Sequence, residues 1–429
     1  MGAIDISGIK KAFSVFDTEP ELIYLDSAST ALVPRCVSGR VFDYLRYQHA
    51  NSGRGQYRLA ESATRLVRDA RSAAARFIGA ESADTLAFCS SATEGINMVA
   101  SGWLSERLKP GQNVVISAAE HHANLLPWQK VCKQASAQLR VVDLNAHGQV
   151  DLNHLKALVD DNTVLLAMSQ VSNVLGVIND VSAWAAIAHK VGARLLVDAS
   201  QAVAHVPASV ASWACDFYVF SGHKLYAGPG CAVLYVCKAA QTEFKPTRLG
   251  GGIVTEVDWQ QASFIQGIEV YEAGSPNIAA IVALHAAIDF IDSIGWQKIL
   301  EHERVLISYL LGKLNSLDFV QPLLSWDISA SDVGVGENTK AELPVLISFT
   351  CQGLHSHDLA SLLNAENIAL RAGLHCAQPL HKQLNVSNSS RVSLGLYNNK
   401  EDMDLFIKAL SRAYELLAVV NEPVGMVNE

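Results

Sequence analysis

Along the first two thirds of the chain, short apolar runs rich in β-branched residues alternate with longer stretches of helical period. The runs fall at residues 113–117, 140–144, 163–169, 194–198, 216–221 and 231–236, each of strand length. Between them, residues 123–136, 152–160 and 181–191 have the length and spacing of crossover helices. That alternation predicts βαβ units and a mostly parallel sheet, the signature of an α/β domain. After Gly250-Gly251-Gly252 and the turn Gly274-Ser275-Pro276, the pattern shifts to long helices at residues 277–294 and 296–317, with fewer strands. A domain boundary is therefore expected near residue 275. Residues 21–274 would form the large domain, and residues 1–20 with 275–429 a smaller α+β domain. The polar, glycine-containing stretch 329–340 reads as an exposed loop before a strand at 345–350.

In an open parallel sheet, ligands collect at the carboxyl ends of the strands. The polar residues of this chain stand there: Asn173 after the run ending at 171, Asp198 at the end of its run, and Ser221-Gly222-His223-Lys224 after 217–220. Partial desolvation lowers a lysine pKa from about 10.4, so Lys224 is placed to form a Schiff base with an aldehyde cofactor. A strand-end lysine taken alone is an ordinary turn residue. A buried Asp198 needs a cationic partner, which a pyridinium nitrogen would supply; the alternative is a helix N-cap aspartate. Ser90-Ser91-Ala92-Thr93-Glu94 precedes a helical stretch, so its hydroxyls and free N–H groups suit a phosphate, or else form an ordinary capping box around Thr93. His121 and His122 beside Glu120 lack a spaced third ligand for a metal, whereas a histidine after a strand end can lie on a flat cofactor and move protons. Cys376 sits in a loop bounded by Gly373 and Pro379, next to Arg371 and His375, surroundings that favour thiolate over thiol.

Composition narrows the field. Half of the 429 residues are hydrophobic and 17% are charged, which suits a large buried core. Thirty-three Lys and Arg against 42 Asp and Glu leave a net charge of −9 with no basic run, so no nucleic-acid partner is expected. The most apolar stretch, 278–291, is too short to cross a bilayer and carries His285 and Asp289 on one helical face, so no membrane partner is expected either. Residues 1–13 hold no apolar leader, and eight scattered cysteines include no Cys-x-x-Cys pair. Reduced thiols, a cytoplasmic location and no bound metal are the expectations.

These segments together resemble the group II cysteine desulfurases of the pyridoxal-phosphate-dependent class V aminotransferase superfamily, the branch of cysteine sulfinate desulfinases and selenocysteine lyase-like enzymes. The resemblance runs from Tyr24-Leu25-Asp26-Ser27-Ala28 to Tyr397-Asn398-Asn399-Lys400. Its most specific pieces are Glu120-His121-His122-Ala123-Asn124 with Pro127-Trp128, Ser172-Asn173-Val174-Leu175-Gly176, Ser221-Gly222-His223-Lys224-Leu225-Tyr226, and the loop from Arg371 to Pro379. It implies a fold type I transferase, with a large mostly parallel sheet domain and a smaller α+β domain.

By the same resemblance, Lys224 would hold pyridoxal 5′-phosphate covalently, Asp198 would face its ring nitrogen, Gln201 its phenolic oxygen, and His121 would stack on the ring. Ala92, Thr93, Ser221 and His223 would bind the phosphate, joined by Ser275 from the other subunit of a homodimer. Asn173 and Arg391 would hold the substrate carboxylate, with Arg371 also toward the substrate and Asn173 also toward the cofactor. L-cysteine would become L-alanine, with a persulfide on Cys376 for a protein sulfur acceptor, as in iron-sulfur cluster assembly; cysteine sulfinate and selenocysteine are expected substrates as well. Two alternatives stay open: a C–S or C–Se lyase or epimerase that does not use Cys376, and a cofactor-free sulfur-transfer scaffold. The family's Gly-Thr-Thr-Glu phosphate loop reads Ser91-Ala92-Thr93-Glu94 here, and Gly53 stands where a histidine is common.

Overall fold

A computed structural model of the chain describes residues 6–326 and 343–421. It contains two compact units. The larger comprises Thr30–Ser172 and Ile178–Gln297; the smaller comprises the chain up to Ser29, Asn173–Val177 and the chain from Lys298.

The larger unit is built on seven strands: β1 (Leu86–Cys89), β2 (Asn113–Ser117), β3 (Gln138–Val142), β4 (Thr163–Ser169), β5 (Arg194–Asp198), β6 (Phe217–Ser221) and β7 (Ala232–Val236). Their order across the sheet is β1-β7-β6-β5-β4-β2-β3, and β7 alone runs antiparallel to its two neighbours. Every residue of β2, β6 and β7 is buried, which is why these strands read as unbroken apolar runs rather than alternating ones. Beside the sheet, helix Ile278–Ile294 packs against Arg35–Asp43 and Arg58–Phe77. Ala60, Ala63, Ala70, Ala73 and Ala74 of the last helix are buried, and their small side chains permit close approach.

In the smaller unit an antiparallel sheet has the order β8 (Val320–Pro322), β9 (Leu346–Cys351), β11 (Ser389–Ser393), β10 (Arg371–Gly373). Its core joins Phe349 and Val392 of the sheet to Leu359, Leu363, Met403, Phe406 and Leu410 of the helices Ser356–Ala365 and Lys400–Asn421. Ile23–Tyr24 pairs in parallel with Ile368–Ala369, and the Val345 N–H donates to the Gly176 carbonyl at 3.0 Å. Gly176 has φ +70°, and a side chain there would run into the backbone of Leu346.

The expected large mostly parallel sheet with a smaller α+β unit is therefore present, with the chain divided differently. Residues 275–297, expected in the smaller domain, lie in the larger unit, because the apolar face of Ile278–Ile294 is covered by helices there. Residues 21–29 and 173–177 lie in the smaller unit, held by the pairings just described. The helix expected from residue 123 begins at Leu126, after a 3₁₀ turn at His122–Asn124. The loop expected at 329–340 lies outside the described residues. Among those described, no single helix is long and apolar enough to cross a membrane.

Candidate active site

The carboxyl ends of the central strands of the larger unit carry a cluster of polar groups. Ser221 closes β6, is buried, and accepts the Ala92 N–H at 2.7 Å. Ala92 opens the helix Ala92–Met98, whose cap is Ser91: its Oγ accepts the Glu94 N–H at 3.1 Å. Glu94 answers by accepting from Ser90 N–H at 2.7 Å and Ser90 Oγ at 2.5 Å, and pairs with Arg248. The alternative of a capping box around Thr93 is met instead at Ser91, which caps the helix while Glu94 reaches back to Ser90, with Thr93 exposed in the first turn. Gly95 lets this helix lie close to the sheet, since a Cβ there would stand 2.8 Å from Val219 Cγ2 of β6.

After Ser221 the chain makes a 3₁₀ turn, Gly222–Lys224, which leaves His223 and Lys224 half-buried. The turn is pinned by Gly222 N–H to the Cys231 carbonyl at 2.9 Å. A second tie comes from the His223 carbonyl, which accepts from Ala31 N–H at 2.9 Å and Thr30 Oγ at 3.2 Å. Asp198, at the end of the adjacent β5, is buried, and its Oδ1 accepts from Ser200 N–H at 2.9 Å and Ser200 Oγ at 2.6 Å. Gln201 follows in the same turn and is buried.

His121 lies in the loop after β2. Its Nδ1 accepts the Ala123 N–H at 3.1 Å, so in the neutral ring the proton sits on Nε2. The preceding residue anchors the loop. Glu120 is buried and accepts four bonds: Ser117 Oγ at 2.5 Å, Asn124 Nδ2 at 2.6 Å, Ser169 Oγ at 2.6 Å and Ser169 N–H at 2.9 Å. Burial pushes its carboxyl up to about 7 against the lowering effect of those donors. Asn124 in turn accepts Trp128 Nε1–H at 2.9 Å. Sequence reasoning noticed Glu120 only as a neighbour of the histidines. The readable signal was Asn124 and Trp128 four residues apart, an acceptor in the turn and a donor in the first turn of the helix that follows.

The smaller unit gathers a second set. Arg391 on β11 is buried; one of its nitrogens donates to the Asn173 carbonyl at 2.9 Å, the other to Ser29 Oγ at 3.0 Å, and Asp26 lies 3.5 Å away. Its Nε has no hydrogen-bond partner among the described residues. Burial lowers the guanidinium to about 10, with Asp26 opposing. Arg371 is exposed and donates twice to Asp26 Oδ2, at 3.0 and 3.2 Å. Asp26 thus bridges the two arginines, a role that its place in an N-terminal strand end did not announce. Asn173 also donates to the His375 carbonyl at 2.6 Å, next to the exposed Cys376.

The class-V aminotransferase family pattern matches residues 23–406. A cysteine desulfurase of Salmonella agona (strain SL483) is 40% identical over 397 residues, covering 92% of this chain and 94% of that protein. The chain belongs to the class-V aminotransferase family. Another relative, a cysteine desulfurase of Escherichia coli (strain K12 / DH10B), is 38% identical with the same coverage. Among solved structures, the cysteine desulfurase CsdA from Escherichia coli superposes with a TM-score of 0.88 at 32% identity over 97% of this chain and all of that one. A cysteine desulfurase from Thermococcus onnurineus NA1 gives 0.89 at 30% identity over 97% of this chain and 99% of that one.

Several features particularise this member of the class-V family. Gly53 has φ +99° and donates its N–H to Thr64 Oγ at 2.8 Å, so a histidine in this backbone conformation would be strained. Ser275 is exposed and accepts from Asn51 Nδ2 at 3.4 Å. Cys36 and Cys376 are the exposed cysteines, whereas burial raises the thiols of Cys89, Cys132, Cys215, Cys231, Cys237 and Cys351. The imidazole expected to help Cys376 as a cation does not: burial first, then Arg391, push His375 down to about 3, so it is neutral at ordinary pH. Among the described residues no group of side chains is arranged to hold a metal.

Proposed function

We propose that this class-V aminotransferase-family enzyme is a pyridoxal-phosphate-dependent cysteine desulfurase that converts L-cysteine to L-alanine and receives the sulfur on Cys376. The residues of the larger unit fit the cofactor: a capped helix start with Ala92 N–H and Ser221 Oγ facing each other, a buried Asp198 and a half-buried Lys224 at the ends of adjacent strands. Lys224 would hold it, Asp198 would keep its ring nitrogen protonated, Gln201 would meet its phenolic oxygen, His121 would cover the ring, and Thr93, His223 and a partner's Ser275 would complete the phosphate contacts. When bound, pyridoxal phosphate supplies an electron sink for charge developing at the substrate α-carbon.

The chain's own groups do the rest. Arg391, with an unsatisfied buried Nε, and Asn173 suit a carboxylate, which would settle the charge that burial disfavours; Arg371 stands beyond them on Asp26. Lys224 Nζ takes the α-proton. Cys376 Sγ attacks the substrate sulfur, the Cβ–S bond breaks as an S–S bond forms, and Cβ gains a proton, so that cysteine and one thiol become alanine and one persulfide. No outside oxidant is needed. The persulfide is the form in which sulfur would pass to a protein acceptor.

The observation that carries this reading is the junction of β6 with Gly222–Lys224. Hydride reduction followed by mass spectrometry should find the cofactor on Lys224, and Lys224→Ala should lose all turnover; a label on another lysine overturns the assignment. Cys376→Ala should abolish desulfuration of cysteine yet retain much activity on cysteine sulfinate and selenocysteine, whose leaving groups need no thiol acceptor. Alanine formation from cysteine at the parent rate in that variant favours a lyase that does not use Cys376.

A further inference from the structure

The chain around Cys376 carries a hydrogen-bonded path whose direction chemistry fixes. His381 Nδ1 lies 3.1 Å from the Ala377 carbonyl oxygen, which can only accept, so Nδ1 carries the proton and donates. His381 Nε2 is then a bare acceptor, and Ser389 Oγ–H, 3.0 Å away, donates to it. With its one proton committed, Ser389 Oγ accepts from His375 Nε2–H at 3.1 Å. Each ring therefore has a single tautomer. His375 keeps its proton on Nε2, and its buried Nδ1 has no hydrogen-bond partner among the described residues. A second proton on Nδ1 would be buried without an acceptor and would face Arg391 and Arg371.

The same residue is held by its main chain, through Asn173 Nδ2–H to the His375 carbonyl at 2.6 Å. These ties act on an unusual backbone. His375 at φ +48° and Cys376 at φ +55° are consecutive left-handed residues, and neither is glycine or asparagine. Such a pair persists only where its surroundings over-determine it. Ser389, on β11, and His381, on the helix Gln378–Gln383, are fully buried, so the anchor is rigid while Cys376 itself is exposed.

We propose that the His375–Ser389–His381 path is a positioning device for sulfur transfer, holding the left-handed His375–Cys376 pair so that the Cys376 thiol is presented outward in one attitude. It rests on the reading of Cys376 as sulfur acceptor. Ser389 and His381 act through His375 and do not meet the reacting atoms.

The test uses the cofactor-loaded enzyme and three variants, Ser389→Ala, His381→Leu and His381→Gln. Iodoacetamide alkylation of Cys376 is followed by peptide mass spectrometry, with the exposed Cys36 as internal reference. Ser389→Ala and His381→Leu should change the Cys376-to-Cys36 rate ratio by about fivefold or more and lower kcat on cysteine by about tenfold, with KM within about twofold, as expected of a misplaced reacting group. His381→Gln, whose Oε1 can accept from Ser389 where Nε2 did, should return both values toward the parent. An unchanged ratio in Ser389→Ala overturns the proposal, as does a fall in melting temperature with no change in ratio, or His381→Gln behaving like His381→Leu. A ratio that moves while kcat does not overturns the sulfur-acceptor reading of Cys376 instead, which separates the two failures.

Discussion

Glu120 shows how a single buried carboxylate can be both an anchor and a liability. Its four donors include two hydroxyls, Ser117 and Ser169, that can rotate when it takes up a proton, so the loop bearing His121 tolerates either charge state. Stability does not. The folded-state pKa is raised from 4.5 to about 7, so between those values the native protein binds a proton that the unfolded chain does not. Stability contributed by this group is therefore complete at low pH and falls as pH rises through 7. Between pH 5 and 8 the parent should lose about 2 to 3 kcal/mol relative to Glu120→Gln, at about 1.4 kcal/mol per pH unit. Urea unfolding of both proteins at the two pH values checks this, and parallel curves would show that Glu120 is ionised throughout. Lys224, Asp198 and Cys376 were legible as candidates because each follows an apolar run or stands in a glycine- and proline-bounded loop. Glu120, Asp26, Ser389 and His381 were not, because their meaning lies in partners distant in the chain: Ser169 for Glu120, Arg391 for Asp26 and His375 for Ser389.

Among the secondary-structure elements, the helix Ala92–Met98 is closely fitted to the sheet. It brings the Ala92 N–H to Ser221, and it can do so only because Gly95 presents no side chain to Val219 and Cys89. Gly95→Val must push the helix off β6 or distort the strand, an overpacking cost of about 1 to 3 kcal/mol. The variant should melt lower and retain pyridoxal phosphate less well, a combined outcome read by thermal unfolding with and without added cofactor. A loss of stability with unaltered retention would detach the helix start from the phosphate site. Strands at 113–117, 163–169 and 194–198 were readable to the residue because they lie inside the sheet, where neighbours cover them and their apolar runs are continuous. The strand expected at 140–144 is Gln138–Val142 instead. It is an edge strand, buried only at Val142, and its sequence need not announce where pairing begins.

For the whole molecule, the division into units escaped the sequence because the glycine- and proline-containing turn at 274–276 marks no change of unit, whereas 172–173 and 297–298 do, and each short segment is claimed by strand pairing or helix packing. The larger unit also exposes Phe42, Leu45, Tyr47, Leu249, Val257 and a fully exposed Trp259, more apolar surface than an isolated chain needs. A two-fold dimer would cover part of this surface and, if Ser275 serves the partner's phosphate site as proposed, would complete both sites. Subunit exchange tests this directly. Lys224→Ala lacks the cofactor lysine but keeps Ser275, whereas Ser275→Asp keeps Lys224 and would repel the phosphate it is proposed to bind. Each homodimer should be inactive on cysteine. In a hybrid, the Ser275 of the first chain would serve the Lys224 site of the second, so one of two sites is whole. Random reassociation of equal amounts makes half the dimers hybrid, and activity should recover to about a quarter of the parent value for a symmetric, isologous pair. If Ser275 serves the site of its own chain, every Lys224-bearing site in the mixture still carries the aspartate, and no activity returns.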